Sequence, residues 1–407
     1  LTKRKYKVVL REGEIHGEVT EASLERLLER KGMERTERGS MQGGRGGSID
    51  KKQGAEDKRP NFMVTAHGAR AMAQGAANMN PLFYDQDYAA KSSYGRVIAP
   101  PILLYSTELV NGATDGFPGC HTIWRGCEFE WGEPMYVDEK IRGVTTLKDA
   151  VVINSRFGGG KAAIQDYETV SHNMDGEYKG TYRTSWHRFS RKNASQSSKY
   201  KSIERKMWTE DELDAVWAEY HSQNLTNIQG DTPLYYEDVN VGDQVPHIVK
   251  GPITLTSKMA FEMAQGSGGW VVGHELALAL NERSPNLAIR NEENVPEPPV
   301  AIHWTNERCN KYLGMPGAYE AGFERLNWYV QLIMNWMGDY GRFRSMKIEF
   351  RGFHWQGDLI RLHAEVMDKR IEDGKALVDL KIQTITQRDD QTSEGKLTVQ
   401  LPQKGDI

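Results

Sequence analysis

GFERLNWYVQLIMNWM, residues 322–337, is the stretch on which the fold turns. Phe323, Leu326, Tyr329, Val330, Ile333, Trp336 and Met337 cover most of a helical circumference, so the spacing predicts a helix buried nearly all round. Directly after it come RSMKIEFRGFHW, LIRLHAEVMDKRI, KALVDLKIQTITQ and EGKLTVQLP, which read as strands separated by turns at 356–358 and 372–374. One buried helix followed by consecutive antiparallel strands is an α+β plan, with the helix lying on the sheet.

The same plan occurs earlier in the chain. AHGARAMAQG, ending at Gly75, reads as a closely packed helix. A turn-rich loop, ANMNPLFYDQDYAAKSSYGRVIAPP, leads to a second helix over 102–110. Four strand-like segments follow: HTIWRGCEFEWGEPM, KIRGVTTLKDAVV, AAIQDYETVSHN and GTYRTSWHRFS. SKMAFEMAQGSGG, downstream, parallels AMAQGAAN, which marks an internal repeat. The expected layout is an N-terminal extension at 1–60, a first unit at 61–192, a connector at 193–234 and a second unit at 235–407 with an insertion at about 270–298. Within the extension, TEASLERLLERK (20–31) predicts a short helix capped by Thr20 and lying outside the main units, and the Gly- and charge-rich run at 35–60 reads as mobile.

Composition excludes several classes. The chain has 407 residues, 52 basic and 56 acidic, for a net charge of −4, which argues against a nucleic-acid partner. Three cysteines, Cys120, Cys127 and Cys309, lack zinc-site spacing and fit a reducing compartment. The opening LTKRKYKVVLREGEIHGEVT has no apolar leader core, and no run reaches the ~18 apolar residues of a membrane span, so a cytoplasmic protein without membrane attachment is expected. FGGGK at 157–161 lacks the spacing and final Ser/Thr of a phosphate loop and reads as a hairpin turn. His354 and His363 lie in strands with no matching ligand set, so no metal site is expected.

The segment MNPLFYDQDYAAKSSYGRVIAPPILL (79–104) resembles the signature loop of MaoC-like and fatty-acid-synthase-type dehydratases, D-x-N-P-x-H-x-D followed by Gly and an Ala-Pro turn. EDVNVGDQVP (237–246), PGAYEAGFERLNWYVQLIMNWMGDYG (316–341) and RGFHWQGDLI (351–360) are similar to further segments of that family, over about residues 61 to 404. The resemblance implies a tandem hotdog fold, each half a long central helix wrapped by an antiparallel sheet, the two sheets able to join edge to edge. It also implies an acyl thioester substrate, coenzyme A entering as part of that substrate and no separate cofactor.

The family pairs a His with an Asp through one water and polarises the thioester carbonyl with a backbone N–H at a helix start. In the first half the Asp position is Asn78 and the His position is Phe83, so that half is read as architectural. Asn78, Asn80, Phe83 and Tyr84 are then expected to shape the acyl or CoA groove. In the second half, one alignment places His303 opposite Phe83, and an ungapped count from the AlaGlnGly turns places His274 there instead. Pro298 stands where Asp is expected, and a carboxylate of the insertion is the candidate substitute, Glu297 next to it or Glu275 beside His274; an exposed loop charge is the plainer reading of Glu297. Gly322 is the candidate carbonyl polariser. Trp304, Tyr319 and Arg325 are candidates for substrate binding, with an interior ion pair as the commoner use of such an arginine. Aromatic residues at Phe83, Tyr84, Trp270, Trp304, Tyr319 and Trp328 suggest a bulky acyl group.

The leading expectation is a hydro-lyase acting on an enoyl or 3-hydroxyacyl thioester. Alternatives are an acyl-CoA thioesterase and a non-catalytic acyl-CoA-binding subunit. A homodimer is expected, although tandem halves make a monomer feasible.

Overall fold

The computed structural model describes residues 10–34, 62–108, 115–196, 200, 202–265, 271, 273–283 and 288–407. The helices are α1 (Glu21–Leu28), α2 (Ala66–Gly75), α3 (Gln86–Lys91), α4 (Arg191–Gln196), α5 (Glu210–Glu219), α6 (Leu255–Gln265), α7 (His274–Arg283), α8 (Asn306–Leu313) and α9 (Gly322–Met337). The strands are β1 (Phe62–Met63), β2 (His121–Trp131), β3 (Lys140–Ser155), β4 (Gly160–Asn173), β5 (Tyr178–Phe189), β6 (Gln244–Lys250), β7 (Ile289–Arg290), β8 (Pro296–Glu297), β9 (Arg342–Phe350), β10 (Ile360–Glu372), β11 (Lys375–Thr386) and β12 (Gln391–Gln400).

All but β7 and β8 form one sheet in the order β1-β3-β4-β5-β2-β9-β12-β11-β10-β6. The two half-sheets meet where β2 runs antiparallel to β9, from Gly126 opposite Glu349 to Glu130 opposite Ser345. Gly126 permits this seam, because a Cβ there would sit 2.5 Å from the carbonyl oxygen of Ile348. The tandem hotdog expectation holds in this continuous sheet, and the 157–161 segment is the turn between β3 and β4.

Helix α9 is buried over nearly its whole length, because its apolar residues leave no polar stripe wide enough to face water. It packs with β6, β10 and a 3-10 helix, Pro101–Thr107, of the first half. The halves place these two elements alike. A bridge from Ile98 to Tyr136 precedes the 3-10 helix, and one from Tyr319 to Trp355 precedes α9. The first-half segment expected as a helix over 102–110 is thus a 3-10 helix ending at Thr107, with 109 and 110 outside the described residues. Pro100 and Pro101 remove two backbone donors at its start.

Helices α2 and α6 pack on each other, and Gly75 allows the approach: a Cβ there would meet the Ala260 carbonyl oxygen at 2.8 Å. Helix α1 carries the expected Thr20 cap, with the Ser23 N–H donating to its hydroxyl at 3.1 Å. It does not stand apart, however. Leu27 is fully buried in one cluster with Phe117, Leu147 and Tyr167, which docks the helix on the first half. The run at 35–60, read as mobile, lies outside the described residues, as does Trp270. Among the described residues no helix is long and apolar enough to cross a membrane.

Candidate functional site

A cavity of about 230 Å³ opens at the N-terminal end of α9. The second half supplies Pro299, Ile302, His303, Tyr319, Gly322 and Phe350, and the first half supplies Tyr105, His121, Trp124 and Trp186. Aromatic rings form much of this wall, and ionisable side chains, His121, Arg191, Glu262, His303, Glu320 and Arg325, are set among them.

His303 ends the 3-10 helix Pro299–His303 and is locked in orientation. Its Nδ1 lies 2.8 Å from the backbone carbonyl oxygen of Tyr319, and its ring packs edge-on against the Tyr319 ring at 4.4 Å. A carbonyl only accepts, so Nδ1 carries the proton and Nε2 is left as the ring's acceptor. Burial pushes the imidazole pKa down to about 4, against the smaller upward effect of the Tyr319 hydrogen bond. His303 is therefore neutral at physiological pH.

Glu262, on α6, reaches the same cavity and is 2% exposed. The indole N–H of Trp304, next to His303, donates to its Oε2 at 2.9 Å. Burial raises this carboxyl to about 7, outweighing the Trp304 hydrogen bond and the charge of Lys258, which act downward. A group with that pKa gives and takes a proton near neutrality. Lys258, one turn earlier on α6, is pushed down to about 8 by burial and donates to Gln356 Oε1 at 3.1 Å.

Gly322 opens α9 after Ala321, which caps the helix without a side-chain hydrogen bond. The Glu324 N–H donates to the Ala321 carbonyl at 2.7 Å, and the Gly322 N–H, at the positive end of the helix dipole, favours developing negative charge on an oxygen in the cavity. Behind them stands a buried ion pair. Glu320 accepts from Arg325 Nε at 3.1 Å and also from Arg325 Nη2, and the His354 N–H donates to its other oxygen at 3.1 Å. Burial works to raise the Glu320 pKa, but the charges and hydrogen bonds of Arg325 and His354 outweigh it and hold the carboxyl down to about 2.

Comparison with known proteins bears on this arrangement. Residues 53–178 match the family model of the FAS1-like dehydratase domain region. The chain resembles that region over this stretch, and its fold is a double hotdog. A structure described as a MaoC-like dehydratase superposes with a TM-score of 0.57 at 14% identity, over 85% of this chain and 96% of that one. A MaoC domain protein dehydratase from Chloroflexus aurantiacus J-10-fl superposes with a TM-score of 0.51 at 10% identity, over 84% and 93%. A search of curated proteins finds no match.

The corresponding place in the first half is built differently. Its smaller counterpart cavity, about 100 Å³, is lined by Ile98, Ala99, Pro101 and Leu104 among others. Pro101 stands three residues after the bridging Ile98, as Gly322 stands three after Tyr319. Proline has no N–H, so the first half offers no donor at the position that Gly322 holds in the second.

Several residues expected at the site lie elsewhere. His274 is exposed at the start of α7, outside the cavity, because the insertion carries it to the surface. Glu297 pairs with Arg308 at 2.6 Å and accepts from Asn291 at 2.9 Å, fixing the β7–β8 hairpin. Nor do Asn78, Asn80, Phe83 and Tyr84 line the groove. They lie toward the far end of α9, where Asn78 contacts Met334 Sδ at 3.8 Å and Asn80 donates to Asp339 at 2.9 Å. Phe83 is in the core, and Tyr84 is exposed with its hydroxyl toward the Met79 carbonyl. Trp304 is outside the cavity lining and holds Glu262. Arg325 lines the cavity but is committed to Glu320 and to the Thr392 carbonyl at 2.8 Å. Trp328 is core.

Sequence reasoning missed Glu262 and His121. An acidic residue beside Phe261 in an otherwise apolar helical stretch was the available signal for the first. His121 opens a strand and has no motif around it. Among the described residues no group of three His, Cys, Asp or Glu side chains is placed to hold a metal.

Proposed function

We propose that the chain is a hydro-lyase that adds water to an enoyl thioester or removes it from a 3-hydroxyacyl thioester, with coenzyme A as the substrate's carrier and no separate cofactor. The observation that carries this reading is the meeting, in one cavity, of a neutral histidine of fixed tautomer, a carboxyl of near-neutral pKa and the helix-start residue Gly322.

In the hydration direction the thioester oxygen accepts from the Gly322 N–H, which favours the enolate-like charge of the transition state. His303 Nε2 takes a proton from water as the oxygen bonds to the β-carbon. The α-carbon takes a proton from the Glu262 carboxyl. The imidazolium then returns its proton to the Glu262 carboxylate, and both groups are restored. Dehydration runs the same steps backward.

The test is incubation of wild-type and His303→Gln protein with a panel of enoyl-CoA esters, following water addition by mass and free thiol separately. Water addition that falls 10²- to 10⁴-fold in the variant is the expected result. Thiol release without water addition would move the assignment to a thioesterase, and silence in both channels would leave a binding role.

A further inference from the structure

His121 lies in the wall of the same cavity, on the first residue of β2, and is contributed by the half that has lost its own acid/base pair. It is 6% exposed, and its Nε2 is buried without a hydrogen-bond partner. An orphaned buried imidazole nitrogen costs free energy, because it gave up water and received nothing in return. Such an atom in the wall of a binding cavity is accounted for when the ligand supplies the missing partner.

The surroundings indicate which partner. Arg191 lines the same part of the cavity and acts electrostatically on His121, as do Arg188, His187 and His303. These neighbours are cationic or able to become so, and burial together with them keeps His121 neutral. Of the two carboxyls lining the cavity, Glu320 is paired with Arg325, and burial raises Glu262 to about 7. The Arg191 guanidinium in this wall attracts a negative charge, and the His121 ring donates to it when its proton is on Nε2.

We propose that His121 and Arg191 form a subsite for a carboxylate at the far end of the acyl chain, making the preferred ligands monothioesters of dicarboxylic acids. The subsite rests on the proposal that this cavity binds acyl thioesters. It gives the first half a direct part in recognition, through its β2 strand instead of its degenerate loop.

The experiment measures affinities of two saturated, non-reacting ligands that differ only at the chain end, glutaryl-CoA and pentanoyl-CoA, for wild-type, His121→Leu and His121→Asn proteins by calorimetry. Wild type is expected to bind glutaryl-CoA at least tenfold more tightly. His121→Leu is expected to lose most of that preference with pentanoyl-CoA affinity unchanged within about twofold. The smaller His121→Asn, which keeps a donor, is expected to retain part of it and serves if the leucine variant does not fold. Equal affinities in wild type, equal losses of both ligands in the variants, or no binding of either ligand would overturn the subsite. Preferential glutaryl-CoA binding without turnover of the matching enoyl ester would sink the hydro-lyase reading alone and leave the subsite standing.

Discussion

The indole N–H of Trp304 donates to Glu262 Oε2 across 2.9 Å, joining the residue after His303 to a helix that precedes it by a long insertion. This bond lowers the carboxyl's pKa against the stronger upward effect of burial. Trp304→Phe should therefore raise the pKa of Glu262 above about 7. Because the proposed acid must be protonated, the alkaline limb of kcat/KM for hydration should move to higher pH. A pH–rate profile in which that limb stays put, or moves down, would separate Glu262 from the titration.

Glu262→Gln removes the proton donor but keeps the shape and the acceptor for Trp304. Hydration is expected to fall 10²- to 10⁴-fold, with a smaller effect on acyl-CoA affinity. A variant with near-wild-type turnover would return attention to His303 acting alone.

Gly322→Pro copies the first half. Proline is well accepted at the first helical position, and Ala321 already has the extended backbone, φ −70° and ψ 122°, that a residue before proline prefers. Folding should survive while the N–H is lost, with turnover down about 10²- to 10³-fold. Gly322→Ala is the control, since a Cβ there would only touch the Phe350 ring at 3.4 Å. Equal activity of the two variants would exclude this N–H as the polarising donor.

Arg325→Met leaves Glu320 buried without its main cationic partner. A loss of about 3–5 kcal/mol in unfolding free energy is expected, by comparison with other broken buried pairs. Denaturant titration should also show Arg325→Met with Glu320→Gln to be less destabilised than the arginine change alone.

Acid should destabilise the fold through His303 and His187, both pushed down to about 4 from 6.5, chiefly by burial. Between those values the unfolded chain takes protons that the folded chain refuses, so stability falls as pH drops from about 6.5 toward 4. Melting temperatures over that window should fall less for His187→Gln than for wild type. Parallel curves would remove His187 from the linkage.

The apolar circumference of 322–337 and the strand-rich runs after it determined the architecture by themselves, because burial periodicity is local and both halves repeat the run of strands. That Asn78 and Phe83 stand where the resembled loop has Asp and His was legible in the same way, by position. Residues around the site were harder. The insertion breaks the register between the halves, so two histidines fitted the motif, and only packing shows His303 inside the cavity and His274 at the surface. Glu297 and Arg308 are close in sequence, yet their pairing became visible only when the β7–β8 hairpin was in place. Glu262 and His121 reach His303's cavity from a helix and a strand far away along the chain, brought there by the α2–α6 packing and the β2–β9 seam. Local sequence encodes which segments bury themselves; which polar groups then face each other is decided by how those segments cross, and that is a property of the assembled core.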